Sequence, residues 1–223
     1  MEKRERKVTI NDYFFTKLVN YELLTGKERG ELIETVAKHA LNKLGCSYDS
    51  LGNKNIQYFL GDVLILSKNK KPVIADIKAS HSFNGIDKVA LDYRYYKKDS
   101  QEAYIPSNSN NNKGYIYHLN ADSLICINPN SRKLYIVNKF QQLRENILNL
   151  VDDNGCTISE LLDISVNRLD SFKDTKIINV AFEDMEQLGA EVISYQLDKE
   201  NNNLYILENK KITSSVASTR AII

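Results

Sequence analysis

An α/β (α+β) fold, with a mixed β-sheet core flanked by helices and a C-terminal elaboration, is what the sequence predicts. Three observations point there. An amphipathic helical period precedes two apolar runs that read as a hairpin. A second helical period follows them, and short strands then alternate with further helical segments. A chain of 223 residues is long enough for one sizeable core. The expectation is therefore a single domain over 1–223, with a core at about 27–150 and the elaboration at about 151–223.

The elements follow in chain order. "KERGELIETVAKHALNKLG", Lys27 to Gly45, carries Ile33, Val36, Ala37, Ala40, Leu41 and Leu44 at helical spacing, and Gly45 suits a C-terminal stop. "NIQYFLGDVLIL" and "KPVIADIKAS", split by "SKNKK", read as an antiparallel hairpin. "GIDKVALDYRYYKK" returns to a helical period through Ile86, Val89, Ala90 and Tyr93. "PSNSNNNKG", Pro106 to Gly114, has loop composition. "GYIYHL", "DSLICIN" and "KLYIV" read as strands, the last two joined across "PNSR", and "NKFQQLRENILNLV" as a helix. Thr157 and Glu160 have capping-box spacing for another helix. "TKIINVAF", "AEVISYQL" and "NNLYIL" complete the strands, with a helix expected near Glu183 to Leu188.

Composition narrows the functional classes. Thirty basic residues against 29 acidic ones leave a net charge of +1, so bulk charge gives no argument for nucleic-acid binding. Local patches such as Lys68/Lys70/Lys71 and Lys97/Lys98 would have to supply it. Cys46, Cys126 and Cys156 form no metal-type pair, and their odd number argues against a disulfide framework. The charged N-terminus is followed by no apolar signal region, and no run is long and apolar enough to span a membrane. These features predict a soluble cytoplasmic protein.

The chemistry concentrates on the hairpin. A regular turn centred on Asn69 sets Asp62 directly opposite Asp76. Alternation in "VIADIK" then puts Val73, Ala75 and Ile77 on one face and Ile74, Asp76 and Lys78 on the other. Like charges opposed across a strand pair repel. A hard divalent cation resolves that conflict, because oxygen ligands are what such ions take. Lys78 can then orient a water or stabilise charge building on a phosphate, the parts that metal-assisted phosphodiester hydrolysis needs. The upstream helix offers a third acid. Glu34 lies about 20° from Leu41, at the edge of the apolar arc, while Glu31 falls about 60° further toward solvent.

In this order, a helix Glu, an Asp opening a strand, and Asp-x-Lys on the next strand, the chain resembles the PD-(D/E)XK nuclease superfamily, the restriction-endonuclease-like fold. Glu34, Asp62, Asp76 and Lys78 occupy its motif positions. "GDVLIL" departs from the usual Pro-Asp by placing Gly61 before the acid, and Asp76 stands where Glu is commoner. Gly30 and Gly45 around Glu34 look like the spacing of the archaeal Holliday-junction resolvase branch. The matched region runs from about Gly30 to Tyr96. The resemblance implies a Mg²⁺-dependent endodeoxyribonuclease (Mn²⁺ able to substitute), often a homodimer, with Glu34, Asp62 and Asp76 as metal ligands and Lys78 beside the attacking water. Restriction-type or structure-selective cleavage, junction resolution, and a catalytically silent DNA-binding or assembly module on the same fold all remain open at this point.

Lys88, Arg94 and Lys97, on the expected helix after the hairpin, are candidates for contacts to DNA backbone. His81 reads as a loop histidine, and Tyr93, Tyr95 and Tyr96 as packing residues. Asp122 opens a strand with no second acid to match it, and reads as structural.

Overall fold

The computed structural model describes residues 6–8, 17–18, 20–67, 70–106, 111–152, 156–167, 172–200 and 203–208. The centre of the expected hairpin turn (68–69), the middle of the Asn-rich loop (107–110) and residues 209–223 of the expected elaboration lie outside them.

After β1 (Arg6–Val8), the chain enters α1 (Gly26–Lys43) through a capping box. Thr25 N–H donates to Glu28 Oε2 at 2.9 Å and Glu28 N–H donates back to Thr25 Oγ1. Leu32, Ile33, Val36, Ala37, Ala40 and Leu41 form the buried stripe. Gly45, at φ +83°, ends the helix: Cys46 N–H donates to Leu41 O and Gly45 N–H to Asn42 O, the paired bonds of a Schellman stop. β2 (Ser47–Ser50), α2 (Lys54–Leu60), β3 (Val63–Leu66) and β4 (Val73–Ala79) follow. "NIQYFL" is therefore helix, where the sequence suggested the start of a strand. Next come β5 (His81–Phe83), β6 (Ile86–Lys97), β7 (Ser123–Asn128), β8 (Lys133–Asn138) and α3 (Phe140–Asn149). The chain then continues through β9 (Leu162–Asn167), β10 (Lys173–Ala181), β11 (Glu191–Glu200) and β12 (Asn203–Glu208).

The strands form two sheets in a mixed α+β topology. One has eight strands in the order β1-β12-β11-β8-β7-β4-β3-β2, and the other has four, β5-β6-β10-β9. All pairings are antiparallel except β4 with β7. Alternation on the large sheet feeds two cores. Ala75, Ile77, Ile125 and Ile127 pack with α1, while Leu124, Cys126, Tyr135 and Val137 pack with α3 and with Val89, Leu91, Ile178 and Val180 of the small sheet. Asp122 N–H donates to Ile74 O, and Asp122 Oδ2 accepts from Ile74 N–H at 2.9 Å, so this residue clamps the start of the parallel pair.

The hairpin register holds, with Val63 opposite Ala75, Leu64 opposite Ile74 and Ile65 opposite Val73. The segment "GIDKVALDYRYYKK" does not hold as a helix. It is β6, paired over nine positions with β10. Its apolar residues fit a period of two through Val89, Leu91, Tyr93 and Tyr95 as well as they fit a helical period, and the long ladder decides between them. "GYIYHL" forms a 3₁₀ turn over Tyr115–Tyr117 in place of a strand. The segments expected as helices at Thr157 and at Glu183 to Leu188 are turns. At the first, Thr157 Oγ1 accepts from Ser159 N–H two residues on, a local bond that competes with helix formation.

Gly61 accounts for the departure from Pro-Asp. Its φ of +119° is closed to proline, whose ring fixes φ near −65°. A Cβ there would sit 2.8 Å from Ala75 O. Replacing Gly61 by Ala is expected to destabilise the fold by about 2 kcal/mol or more. Urea unfolding of the two proteins checks this, and equal midpoints would contradict it.

Candidate active-site cleft

Asp76 occupies the middle of β4 and is only 3% exposed. Strand alternation turns it away from α1, toward the side of the large sheet that faces Leu124 and Cys126. Asp62 sits one residue before β3, where the backbone of Gly61 lets the chain press against β4. Asp62 N–H donates to Ala75 O at 3.0 Å, and Asp62 Oδ2 accepts from Ile77 N–H at 2.8 Å. Its carboxylate thus satisfies a strand N–H that β3 is too short to reach. The Asp76 Oδ2 atom is buried without a hydrogen bond, and Lys78 Nζ stands 3.4 Å from it. The Lys78 ammonium also lies 3.8 Å from the centre of the Tyr115 ring, a cation–π contact that fixes its far side.

These groups open into a cleft of about 510 Å³ lined by Gly30, Ile33, Glu34, Gln57, Tyr58, Asp62, Asp76, Ile77, Lys78, Ala79, Asp92, Tyr95 and Tyr115. All four candidate residues therefore reach one cavity. Glu34 stands apart in one respect: its Oε2 accepts from Lys38 Nζ at 2.9 Å, one helical turn away, and its side chain is 42% exposed.

Electrostatics follow from that crowding. Burial, then the neighbouring Asp76 charge, push the Asp62 carboxyl up to about 6, against the opposing pull of the Ile77 N–H and Lys78. Burial works to lower the pKa of Lys78, but Asp76, Asp92 and Asp62 outweigh it and hold the ammonium above its ordinary value. Burial and the Asp76 charge drive the Tyr115 hydroxyl upward, so it stays protonated.

Asp92, Tyr95, Tyr115, Gln57 and Tyr58 belong to the cleft although sequence reasoning did not place them there. A bulge brings the first two in. β6 pairing steps from Arg94 opposite Lys176 to Asp92 opposite Ile177, which leaves Tyr93 without an opposite residue. Strict alternation would send Asp92 and Tyr95 to opposite faces, yet both line the cleft and Tyr95 Oη donates to Asp92 Oδ2 at 3.2 Å. Reading "VALDYRYY" as a strand was the available signal.

Lys88, Arg94 and Lys97 sit on this strand and not on a helix. At about 3.3 Å per residue, Lys88 and Lys97 lie roughly 30 Å apart, so they form no compact basic face. Lys88 is 3.8 Å from Asp163, Lys97 pairs with Glu102, and the Arg94 guanidinium lies 5.1 Å from the Tyr93 ring centre. His81 lies on β5, also in place of a loop.

Asp62 and Asp76 offer the hard oxygen donors that Mg²⁺ takes, and Asp76 Oδ2, without a hydrogen bond, faces the Lys78 ammonium at 3.4 Å. A full set is not assembled: among the described residues no three His, Cys, Asp or Glu side chains converge as metal ligands. Among them, too, no helix is long and apolar enough to cross a membrane. Neither a protein-family model, nor a curated protein, nor a solved structure matches the chain.

The Asp62 shift fixes a pH dependence. Its folded pKa lies above the unfolded value of 3.8, so the folded state holds the proton more tightly and stability falls as pH rises from about 4 to about 6. Asp62→Asn removes that loss. The variant is expected to exceed the wild type by about 2–3 kcal/mol at pH 8, with the gap closing near pH 4. Denaturant titrations at the two pH values test it, and a pH-independent gap would refute the assignment.

Proposed function

We propose that this chain is a metal-dependent endodeoxyribonuclease of the restriction-endonuclease-like kind, cutting DNA in a sequence- or structure-selective way and working as a homodimer. One observation carries the reading: the β3–β4 register brings two carboxylates and a lysine, in the motif order of the PD-(D/E)XK superfamily, into one cleft, where a buried Asp76 oxygen lacks a hydrogen bond. Asp62 and Asp76 would hold Mg²⁺, with Glu34 on the cleft wall as the third candidate ligand. The ion would polarise the scissile phosphate and lower the pKa of the attacking water. Lys78, kept charged by its acidic neighbours and steadied on Tyr115, would stabilise negative charge developing on the phosphate.

A second reading is a DNA-binding or assembly module on the same fold without turnover. It is favoured by the Glu34–Lys38 ion pair and by the lack of three converging acids among the described residues.

Supercoiled plasmid, linear duplex and a four-way junction, incubated with Mg²⁺, Mn²⁺ or EDTA, separate the two. The nuclease reading expects cleavage that EDTA abolishes and that Asp76→Asn and Lys78→Ala reduce at least about a hundredfold, the scale of losing one charge-stabilising group. Preference for the junction would assign resolution. Metal-independent binding with no product from any substrate supports the silent module.

Mg²⁺ should also raise the melting temperature of the wild type by mass action, and Asp76→Asn should abolish the rise. An equal rise in both proteins would place the metal elsewhere.

A further inference from the structure

The cleft continues into an aromatic rim that the proposed chemistry does not use. Tyr58, on the cleft wall, lies 6.4 Å from Tyr115 between ring centres. Its other neighbours are Phe59, edge-on at 5.1 Å, and His118 at 5.7 Å, while Phe59 meets His118 edge-on at 6.2 Å. Ring contacts of 3.8, 6.4 and 5.1 Å therefore lead from the Lys78 ammonium across Tyr115 and Tyr58 to Phe59. At the outer end Phe59 is 45% exposed, as is Ile56 one helical turn before it.

Two properties of this rim are hard to explain as packing. Tyr58 Oη and His118 Nε2 are buried without a hydrogen bond. Unmet polar capacity of this kind costs stability unless something else uses it. An aromatic ring left half-exposed beside a cleft is also a surface on which a planar group can stack.

We propose, building on the nuclease reading, that Tyr58, Phe59 and His118 form a base-stacking subsite, so that the cleft takes an unpaired nucleotide and not one held in an intact duplex. Of the three, Tyr58 lines the cleft, whose volume of about 510 Å³ suits a ligand of nucleotide size, and Phe59 and His118 stand against Tyr58. In a duplex the bases stay stacked on one another, out of reach of Phe59 when the backbone approaches the aspartates. An unpaired strand can lay one base on the rim while the phosphate of a neighbouring nucleotide reaches Lys78, since the chain of contacts from Lys78 to Phe59 is longer than a single nucleotide. Aromatic stacking of this kind tolerates any base, because every base has a π-face. The subsite therefore selects the structure of the DNA and not its sequence.

The test is binding in Ca²⁺ buffer of a fluorescein-labelled mixed-sequence oligonucleotide, single-stranded and as its blunt duplex, followed by anisotropy. Wild type should bind the single strand at least about tenfold tighter than the duplex. Phe59→Ala should weaken single-strand binding by about tenfold and duplex binding by less than about twofold, and Phe59→Trp should restore it. Thermal melting of each variant confirms folding, which a half-exposed side chain leaves intact. Equal affinity for the two substrates, or an equal effect of Phe59→Ala on both, overturns the subsite. Phe59-dependent single-strand binding by a protein without metal-dependent cleavage keeps the subsite and removes the nuclease reading. Duplex cleavage indifferent to Phe59 does the reverse.

Discussion

The register between β3 and β4 is the constraint on which the rest of the cleft depends. With Val63 opposite Ala75, the residue before β3 must lie beside Asp76, and that residue is Asp62. Two carboxylates in a largely buried setting repel and lose hydration, which is why Asp62 is pushed up to about 6. The fold meets part of that cost locally. Ile77 N–H donates to Asp62, and the Lys78 ammonium faces Asp76 from 3.4 Å. What remains is an Asp76 oxygen that faces the Lys78 ammonium without accepting a hydrogen bond, and a site that keeps such a deficit is where function is expected to reside.

Much of this was legible in the chain because short-range rules decide it. Turn length and alternation gave the hairpin register, and a capping box and a glycine stop bounded α1. Asp122, opening a strand with no acid to match it, reads as structural from sequence and clamps the parallel pair. The parts that failed depend on distant partners. "GIDKVALDYRYYKK" satisfies both periods, and the ladder to β10, some eighty residues later, makes it a strand over most of its length. With the helix assignment went any chance of finding Asp92, since its place in the cleft needs the strand and also its bulge. "NIQYFL" shows the reverse: its apolar residues suited a strand, but α2 takes its place behind Gly61 and turns Gln57 and Tyr58 into the cleft.

The late strands are bound into the same construction. β11 pairs with β8 in the large sheet, and β10 is flanked by β6 and β9 in the small one. The bulge that presents Asp92 and Tyr95 lies on the β6–β10 ladder, so one cleft wall is shaped by residues beyond 170. Asp87 adds a second tie at the other end of β6. Its carboxylate accepts from Ser82, Asn128, Ser131 and Tyr135, which join the small sheet to β7, β8 and the turn between them. That site is saturated with donors, and burial is outweighed by these bonds, so its pKa is lowered. Asp87 and Asp62 are both screened from water, yet they are shifted in opposite directions. Asp62 is buried beside the Asp76 charge with one N–H donor, whereas Asp87 has four donors and Lys133 nearby, and that contrast separates a structural carboxylate from one available to a ligand.

Glu34 receives a single donor, Lys38. Its bond to Lys38 could be taken to disqualify it as a third ligand. An ion pair one helical turn apart is worth only about 0.3–0.5 kcal/mol where it is solvated, however, and although Lys38 is half-buried, the Glu34 side chain is 42% exposed. Under the proposed reading, an ion held by the two aspartates would draw a carboxylate from the same cleft wall at little expense. Asp92 is less free, since it accepts a bond from Tyr95 and helps keep Lys78 charged. The energetic order of the acids thus favours Glu34 over Asp92 as the ligand to be recruited, although neither meets the two aspartates in the arrangement described.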